Sequence, residues 1–280
     1  MNGREAQSAA STLRLRRFLR LLCSLLLLAV AVAIVLLGME RLRRIARDDR
    51  CRMHLHRVSV ALALYHGSND RLPPPYLTDD NGTPMHSWRS LVMFFLVNEK
   101  PYDFGVDEYK FSEPWDSPGN TRFRNGHEFY DYLCPNHAKG SRDASYLCVV
   151  GSALWPLPKK TGAYWNVANR PNPTEGGVFP SHGKAILFVE LVESDIPWTK
   201  PADINLSELV SLLQNDPSGD QLCRCIRHVV AVDATGTSSI LDTMRDLEEI
   251  TKLVESEAAG QTELGHWGRE SEAPERKPGP

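Results

Sequence analysis

The chain has 280 residues, of which 42% carry hydrophobic side chains, and its formal net charge is -3. This length and this hydrophobic content suffice for a buried core, and they exclude a chain that is disordered throughout. Arginine is concentrated at the N-terminus and directly after an apolar run, so the remainder of the chain is acidic. Nucleic-acid binding needs Lys and Arg on the folded surface, and that class of function is therefore excluded.

The uncharged run from Leu21 to Met39 has the length of a membrane-spanning helix. A bilayer core of about 30 Å requires roughly 20 apolar residues in a helix. A secretory signal has a shorter apolar region and ends at a small-residue cleavage site, which Val35–Glu40 does not provide. The run therefore predicts a single-pass transmembrane helix over 21–39. The basic tail over 1–20, offset only by Glu5, favours a cytoplasmic N-terminus.

Apolar residues continue at helical spacing after the membrane, through Leu55, Val58, Leu62 and Tyr65. This pattern predicts a helix over 40–66 that ends at Gly67, ahead of three prolines. The extracytoplasmic body is predicted to occupy 40–257. The polar tail over 258–280 is rich in Pro and Glu and is predicted to be disordered.

The body itself contains both strand and helix signals. Runs rich in β-branched residues predict strands at Ser145–Val150, Ala185–Val192 and His228–Val232. Helices are predicted over Ser87–Leu96, after the capping sequence Asn205-Leu206-Ser207-Glu208, and over the amphipathic stretch Ser239–Ser256.

Several motifs occur in a fixed order along residues 18 to 255. They include Cys51 to Tyr65 with Pro73-Pro74, then His86-Ser87-Trp88-Arg89, Pro114-Trp115-Asp116 and Tyr132-Leu133-Cys134-Pro135. Together they resemble a large bacterial family of pilin-like proteins, the domain-of-unknown-function family fifteen-fifty-nine, which is sometimes labelled a solute-binding or transporter family. The resemblance implies an α+β, pilin-like fold in which a long N-terminal helix, half in the inner membrane, packs on a mainly antiparallel sheet. It implies no established reaction.

From this resemblance we expect a non-enzymatic, membrane-anchored protein of the cell envelope with an interaction or structural role. Its expected partners are the inner membrane and other envelope proteins or pilin-like subunits. The family's label leaves a solute-binding component of a transport system as the alternative. The sequence predicts no cofactor and no metal.

Six cysteines are present, and Cys23 lies within the apolar run. The other five permit disulfides in an oxidising compartment but leave one thiol over. Cys51 and Cys134 are the expected pair, because a bridge between them would staple the long helix to the sheet. A C-x-C-x-x-H cluster of two thiols and an imidazole, which are side chains that bind zinc, is formed by Cys223, Cys225 and His228. This spacing is a weak metal signature, because it places the two thiols on opposite sides of a strand.

His86 and Ser87 raise the alternative of a serine nucleophile. A catalytic triad needs an oriented base and an oxyanion hole, and the chain contains no G-x-S-x-G elbow. The sequence instead favours a structural role, with Trp88 in the core and Arg89 paired with a buried acid such as Asp116 or Glu190.

Overall fold

The computed structural model describes residues 3–96, 108–127, 129–134, 143–157, 176–191, 194–215 and 226–267. Side chains are described from residue 22 onward, except at 44, 130, 215 and 261–267. The chain divides into two compact units, Met1–Arg50 and Cys51–Pro280.

The described helices include one very long element and four shorter ones: α1 (Gly3–Asn69), α2 (Trp88–Leu96), α3 (Pro118–Gly126), α4 (Leu206–Asn215) and α5 (Leu247–Trp267). A short 3-10 helix spans Tyr130–Tyr132.

The C-terminus of α1 differs from its prediction, because the helix continues past Gly67 to Asn69. The side-chain amide of Asn69 donates to the Tyr65 carbonyl at 2.8 Å, which closes the last turn. Asp70 then adopts a positive φ of 58°, a left-handed conformation that Asp tolerates better than most residues. The prediction of Gly67 as the capping residue was therefore wrong.

Eight strands are described: β1 (Tyr76–Thr78), β2 (Pro84–Ser87), β3 (Tyr146–Leu147), β4 (Val149–Val150), β5 (Lys184–Leu191), β6 (Ile204–Asn205), β7 (Ile226–Asp233) and β8 (Ser238–Asp242). The main sheet has the order β3-β5-β7-β8, and all of its pairs are antiparallel. Strands β1 and β2 form a hairpin, and β4 pairs with β6 in parallel.

The predicted strands and the capped helix α4 are confirmed, except that Val192, the last residue of one predicted strand, lies outside the described residues. One strand differs in detail. The run Ser145–Val150 is interrupted at Cys148, where the chain leaves its pairing with β5 and begins its pairing with β6. At the start of α4, the Asn205 side chain accepts a hydrogen bond from the Glu208 backbone N–H at 2.9 Å, as an N-cap residue does.

The predicted helix over Ser239–Ser256 was wrong in its first half. Ser238–Asp242 is strand β8, because a turn returns the chain along β7. In that turn the Asp233 carboxylate accepts from the backbone N–H groups of Thr235 and Thr237, at 2.9 and 3.0 Å. Helix α5 begins only at Leu247 and extends to Trp267, so the part of the predicted disordered tail up to that residue is helical, and the remainder lies outside the described residues.

The main sheet is buried on both faces. On one face, Leu55, Val58 and Leu62 of α1 belong to the same buried cluster as Phe188 and Val230. On the other face a second cluster joins β5 and β7 to α4 and α5, through residues that include Val189, Val229, Leu209 and Ile250. The α+β fold, with a long N-terminal helix and antiparallel strands, is therefore confirmed.

Arg89 pairs with neither of the two acids that the sequence suggested. Its guanidinium lies 2.6 Å from the carboxylate of Asp203, and both side chains are almost fully buried. Asp116 is exposed, whereas Glu190 has a different partner. No local pattern indicates this pairing, because the two residues are 114 positions apart.

Asp203 accepts two further hydrogen bonds, from the Trp88 ring N–H at 3.2 Å and from the Cys148 backbone N–H at 2.9 Å. Arg89 also donates to the Tyr146 carbonyl at 3.0 Å. The ion pair therefore connects α2 to the point where β3 passes into β4. Hydrogen bonds to most of the polar atoms of the two side chains offset the free-energy cost of burying two charges.

Candidate functional site

A row of polar side chains crosses the four strands of the main sheet. The strand register places Tyr146 of β3 opposite Glu190 of β5, Glu190 opposite His228 of β7, and His228 opposite Asp242 of β8. Directly opposed residues project from the same face of a sheet. The four side chains therefore form one row perpendicular to the strands.

Two cysteines lie at this row. The Cys51 thiol in α1 donates to a Glu190 carboxylate oxygen at 3.3 Å, which places the row on the sheet face that α1 covers. The sulfur of Cys134 lies 3.0 Å from that of Cys51, and both residues are buried. The structure thus brings together the predicted pair, 83 residues apart, and adds Glu190, which the sequence did not assign to this site.

Contacts from the next turn of α1 hold the segment that carries Cys134. The His54 ring contacts the Leu133 carbonyl at 2.9 Å, and Arg57 forms an ion pair with Asp131 at 2.9 Å. The Cys134 backbone N–H donates to the Ser145 hydroxyl at 2.8 Å, next to β3. The position of Cys134 is therefore fixed from both the helix and the sheet.

The carboxylate of Glu190 is the charged centre of the site. Burial raises its pKa, but the hydrogen bond and the charge of His228 outweigh this effect, so the pKa lies below its ordinary value. The hydrogen bond to Cys134, burial and the charge of Glu190 all raise the pKa of the Cys51 thiol. Without a cation or an oxidant, Cys51 is therefore a protonated thiol that donates to an ionised carboxylate.

His228 connects this centre to the sheet edge. One ring nitrogen, Nδ1, is hydrogen-bonded to Glu190, and the other, Nε2, lies 3.7 Å from the partly exposed carboxylate of Asp242. The other members of the predicted C-x-C-x-x-H cluster, Cys223 and Cys225, lie outside the described residues. The contact between His228 and Glu190 is set by the strand register, and the spacing of residues along the sequence does not reveal that register.

Chemically, the site offers two sulfurs and a carboxylate oxygen, which all lie within 4.8 Å of one another. Two thiols at this distance can be oxidised to a disulfide. Thiolates and a carboxylate are also ligand types that zinc accepts.

The family-motif residues around His86 serve the core. The His86 Nε2 atom lies 2.9 Å from the Phe111 carbonyl, and Nδ1 lies 2.8 Å from the Tyr109 hydroxyl. Since a carbonyl can only accept, Nε2 carries the proton and Nδ1 accepts from the tyrosine. Ser87 accepts from the Arg89 guanidinium at 2.7 Å, so His86 and Ser87 do not form a nucleophile and base.

The remaining motif residues lie in turns and at the edge of the core. Pro73 and Pro74 are buried after the end of α1, whereas Pro114 and Asp116 are exposed. Trp115 is half-buried beneath the Arg124 guanidinium, 5.7 Å from its ring centre. Its backbone N–H donates to the Met85 carbonyl at 3.1 Å, which ties this turn to β2.

The fold and the site define an α+β protein whose long N-terminal helix contributes a cysteine to a buried cysteine and carboxylate cluster. The family model SBP_bac_10, described as "Protein of unknown function (DUF1559)", matches residues 40–197. The match covers more than half of the chain, and the chain belongs to this family. Neither a curated protein nor a solved structure matches it.

The cysteine pair generates a first prediction. In full-length protein extracted with its free thiols blocked, reduction is expected to release two further alkylation sites, which peptide mapping places at Cys51 and Cys134. Cys134→Ser should remove both sites, while Cys148→Ser, a matched change at another buried cysteine, should leave them. A bridge that closes this loop should contribute about 4 to 5 kcal/mol in the chain-entropy model. If reduction exposes no thiol at these two positions, the disulfide prediction is wrong.

His86 generates a second prediction, on stability against pH. Burial lowers its folded-state pKa to about 4, whereas the unfolded value is about 6.5. Between these pH values His86 is protonated in the unfolded chain but neutral in the folded protein. The free energy of unfolding that neutral His86 contributes above pH 6.5 is therefore lost as the pH falls towards 4.

The difference in the free energy of unfolding between the native chain and His86→Gln should accordingly decrease by about 3 kcal/mol from pH 7 to pH 4. Denaturant unfolding followed by tryptophan fluorescence measures this difference. His56→Gln alters an exposed histidine on α1 and should leave the pH dependence unchanged. A difference that stays constant across this pH range would contradict the assignment of a neutral, buried His86.

Proposed function

We propose that this protein is a single-pass membrane protein of the cell envelope, whose body lies outside the cytoplasm and has an interaction or structural role. The observation that carries the proposal is the surface of α1 between Leu22 and Met39. All 18 of these residues are exposed and none is charged. The most apolar 18-residue window of the helix has a mean hydropathy of 2.9, and 0% of it is buried.

Such a surface is compatible with lipid and costly in water. Soluble proteins rarely expose a contiguous apolar patch larger than a few hundred Å², and a helix that is apolar on all sides is typical of a membrane span. A span of 18 residues at about 1.5 Å per residue is roughly 27 Å long, close to the hydrocarbon thickness of a bilayer.

The body supports an interaction role rather than a catalytic one. The motif residues His86, Ser87 and Arg89 are buried and hydrogen-bonded within the core. The proposed mechanism is packing: the apolar helix associates within the membrane, while the loops of the body are presented to other envelope proteins. An extracytoplasmic position also accords with the close approach of Cys51 and Cys134, because disulfides persist in oxidising compartments.

A charge-insertion experiment tests the anchor. Leu28→Arg combined with Ile34→Arg places two charges on the exposed apolar segment, each costing about 2.5 to 3.5 kcal/mol near the centre of a bilayer. This variant should leave the carbonate-washed membrane fraction for the soluble fraction. Leu42→Arg combined with Leu64→Arg is the matched control, because both leucines are exposed on α1 outside the apolar window, and it should stay with the membrane.

Protease digestion of spheroplasts then tests the orientation. The body should be digested from outside before the membrane is permeabilised. Protection until lysis would place the body in the cytoplasm and would overturn the proposal, as would a native chain that is recovered in the soluble fraction.

A solute-binding role is a second candidate, and a groove in the body favours it. The groove is open to solvent and has a volume of about 700 Å³. It is lined by Val150, Gly151, Leu157, Asn205, Leu206, Ser207 and Val210. A solute from a panel of sugars and peptides should raise the thermal unfolding midpoint, and Val210→Glu should abolish that rise; a flat response across the panel would count against this role.

A further inference from the structure

We propose that, in the reduced protein, Cys51, Cys134 and Glu190 form a binding site for one thiophilic divalent cation of the zinc class. All three residues lie in the body, so the site does not depend on the membrane location. Within the described residues, no other group of three His, Cys, Asp or Glu side chains has its ligand atoms this close together.

The donor atoms already lie near the positions that such an ion requires. The two sulfurs are 3.0 Å apart, and the Cys51 sulfur is 3.3 Å from a Glu190 oxygen. In a tetrahedral zinc site, bond lengths of about 2.3 Å to sulfur and 2.1 Å to oxygen separate the donors by about 3.5 to 3.8 Å. Binding therefore requires the donors to move apart by less than about 1 Å, which small side-chain rotations provide.

The carboxylate is oriented as metal-binding carboxylates are. One oxygen of Glu190 faces the Cys51 sulfur, and the other is hydrogen-bonded to His228. His228 is in turn 3.7 Å from Asp242. Outer partners of this kind fix the orientation and the charge of a ligand, and a disulfide between the two cysteines has no need of them.

Tyr146 supplies an independent indication of a missing ligand. Its hydroxyl is buried and has no hydrogen-bond partner within the described residues, an arrangement that costs about 1 to 3 kcal/mol. Tyr146 lies opposite Glu190 in the strand register, so both side chains project from the same face of the sheet. A ligand bound beside Glu190 would therefore lie on the sheet face that carries this buried hydroxyl.

The charges of the bound state balance. Each thiol releases one proton to solvent when its sulfur binds the ion, so two thiolates neutralise the divalent cation, while Glu190 keeps its hydrogen bond to His228. Exchange with an external disulfide converts the two thiols to a disulfide and reduces the external partner to two thiols, which removes both ligands and excludes the ion. The same two sulfurs therefore have two mutually exclusive states, selected by the redox conditions.

Cobalt titration of the full-length chain in detergent, with a phosphine reductant present, tests the site. One equivalent of Co²⁺ should produce a thiolate-to-cobalt charge-transfer band in the near ultraviolet, and Zn²⁺ should displace it. Cys51→Ser or Cys134→Ser should abolish the band. Glu190→Gln should weaken binding at least about 10-fold, and His228→Gln about 10- to 100-fold, the range for outer-shell partners.

Two matched controls locate the ion. Cys148→Ser and the double variant Cys223→Ser with Cys225→Ser should bind Co²⁺ as the native chain does. Because a cluster variant can fail to fold, the native chain is also tested directly: Zn²⁺ should raise the unfolding midpoint of the reduced protein but not that of the oxidised protein. The proposal is overturned if the reduced native chain shows no charge-transfer band with Co²⁺, or if the band is lost only in the Cys223 and Cys225 variant. It is also overturned if a folded Glu190→Gln protein binds Co²⁺ with the affinity of the native chain.

Discussion

The structure depends on one packing constraint, which is that the second half of α1 must cover a face of the main sheet. Leu55 and Leu62 are fully buried there, and each such side chain contributes about 1.5 to 3 kcal/mol by leaving water. Since α4 and α5 cover the opposite face, the central strands have no solvent-facing side. This is why seven of the eight residues of β5 are buried, and why any charge on that strand needs a partner within the core.

Two buried pairs of this kind lie in the core, and only the pair of Glu190 with His228 includes a residue of β5. Arg89 and Asp203 connect a helix to a strand junction, and burial raises the pKa of Asp203 although Arg89 opposes the shift. Glu190 and His228 lie opposite each other on β5 and β7, so they pair within the sheet itself. Buried pairs add little net stability but are costly to break, about 3 to 5 kcal/mol when one partner is removed. Both pairs therefore act chiefly to fix one arrangement of the core.

The sequence predicted the parts of this fold that rest on local patterns. The apolar spacing of Leu55 to Tyr65, the β-branched runs of β5 and β7, and the cap at Asn205 all depend on residues within a few positions of one another. Strand β8 was mistaken for a helix because its pairing with β7 is set by a turn at Asp233 that outweighs local propensity. The closeness of Cys51 and Cys134 was predicted because one lies on the helix and the other leads into the sheet.

The partners of Arg89 and Glu190 could not be predicted, because strand register and long-range packing decide them. Arg89 reaches Asp203 across 114 positions, and Glu190 meets His228 across 38. Composition indicates only that a buried charge needs a counterion; it does not identify which one. The sequence therefore predicted only part of the site: the two cysteines could be paired, but the carboxylate beside them and the partners of that carboxylate could not be identified.

The location of this site gives both of its chemical states a common consequence. Cys51 is the first residue of the folded body and the start of the buried part of α1, so separation of the helix from the sheet would begin there. A disulfide or a shared cation would each close the loop to Cys134 and oppose that separation, the first in a lasting way and the second reversibly. Burying a carboxylate costs several kcal/mol unless it is paired, and Glu190 has its partner in His228 in either state. In the cation state the carboxylate also serves as a ligand, whereas a bridge between two sulfurs would gain nothing from it. The row from Glu190 to Asp242 is thus better explained as the support of a ligand than as part of a covalent staple.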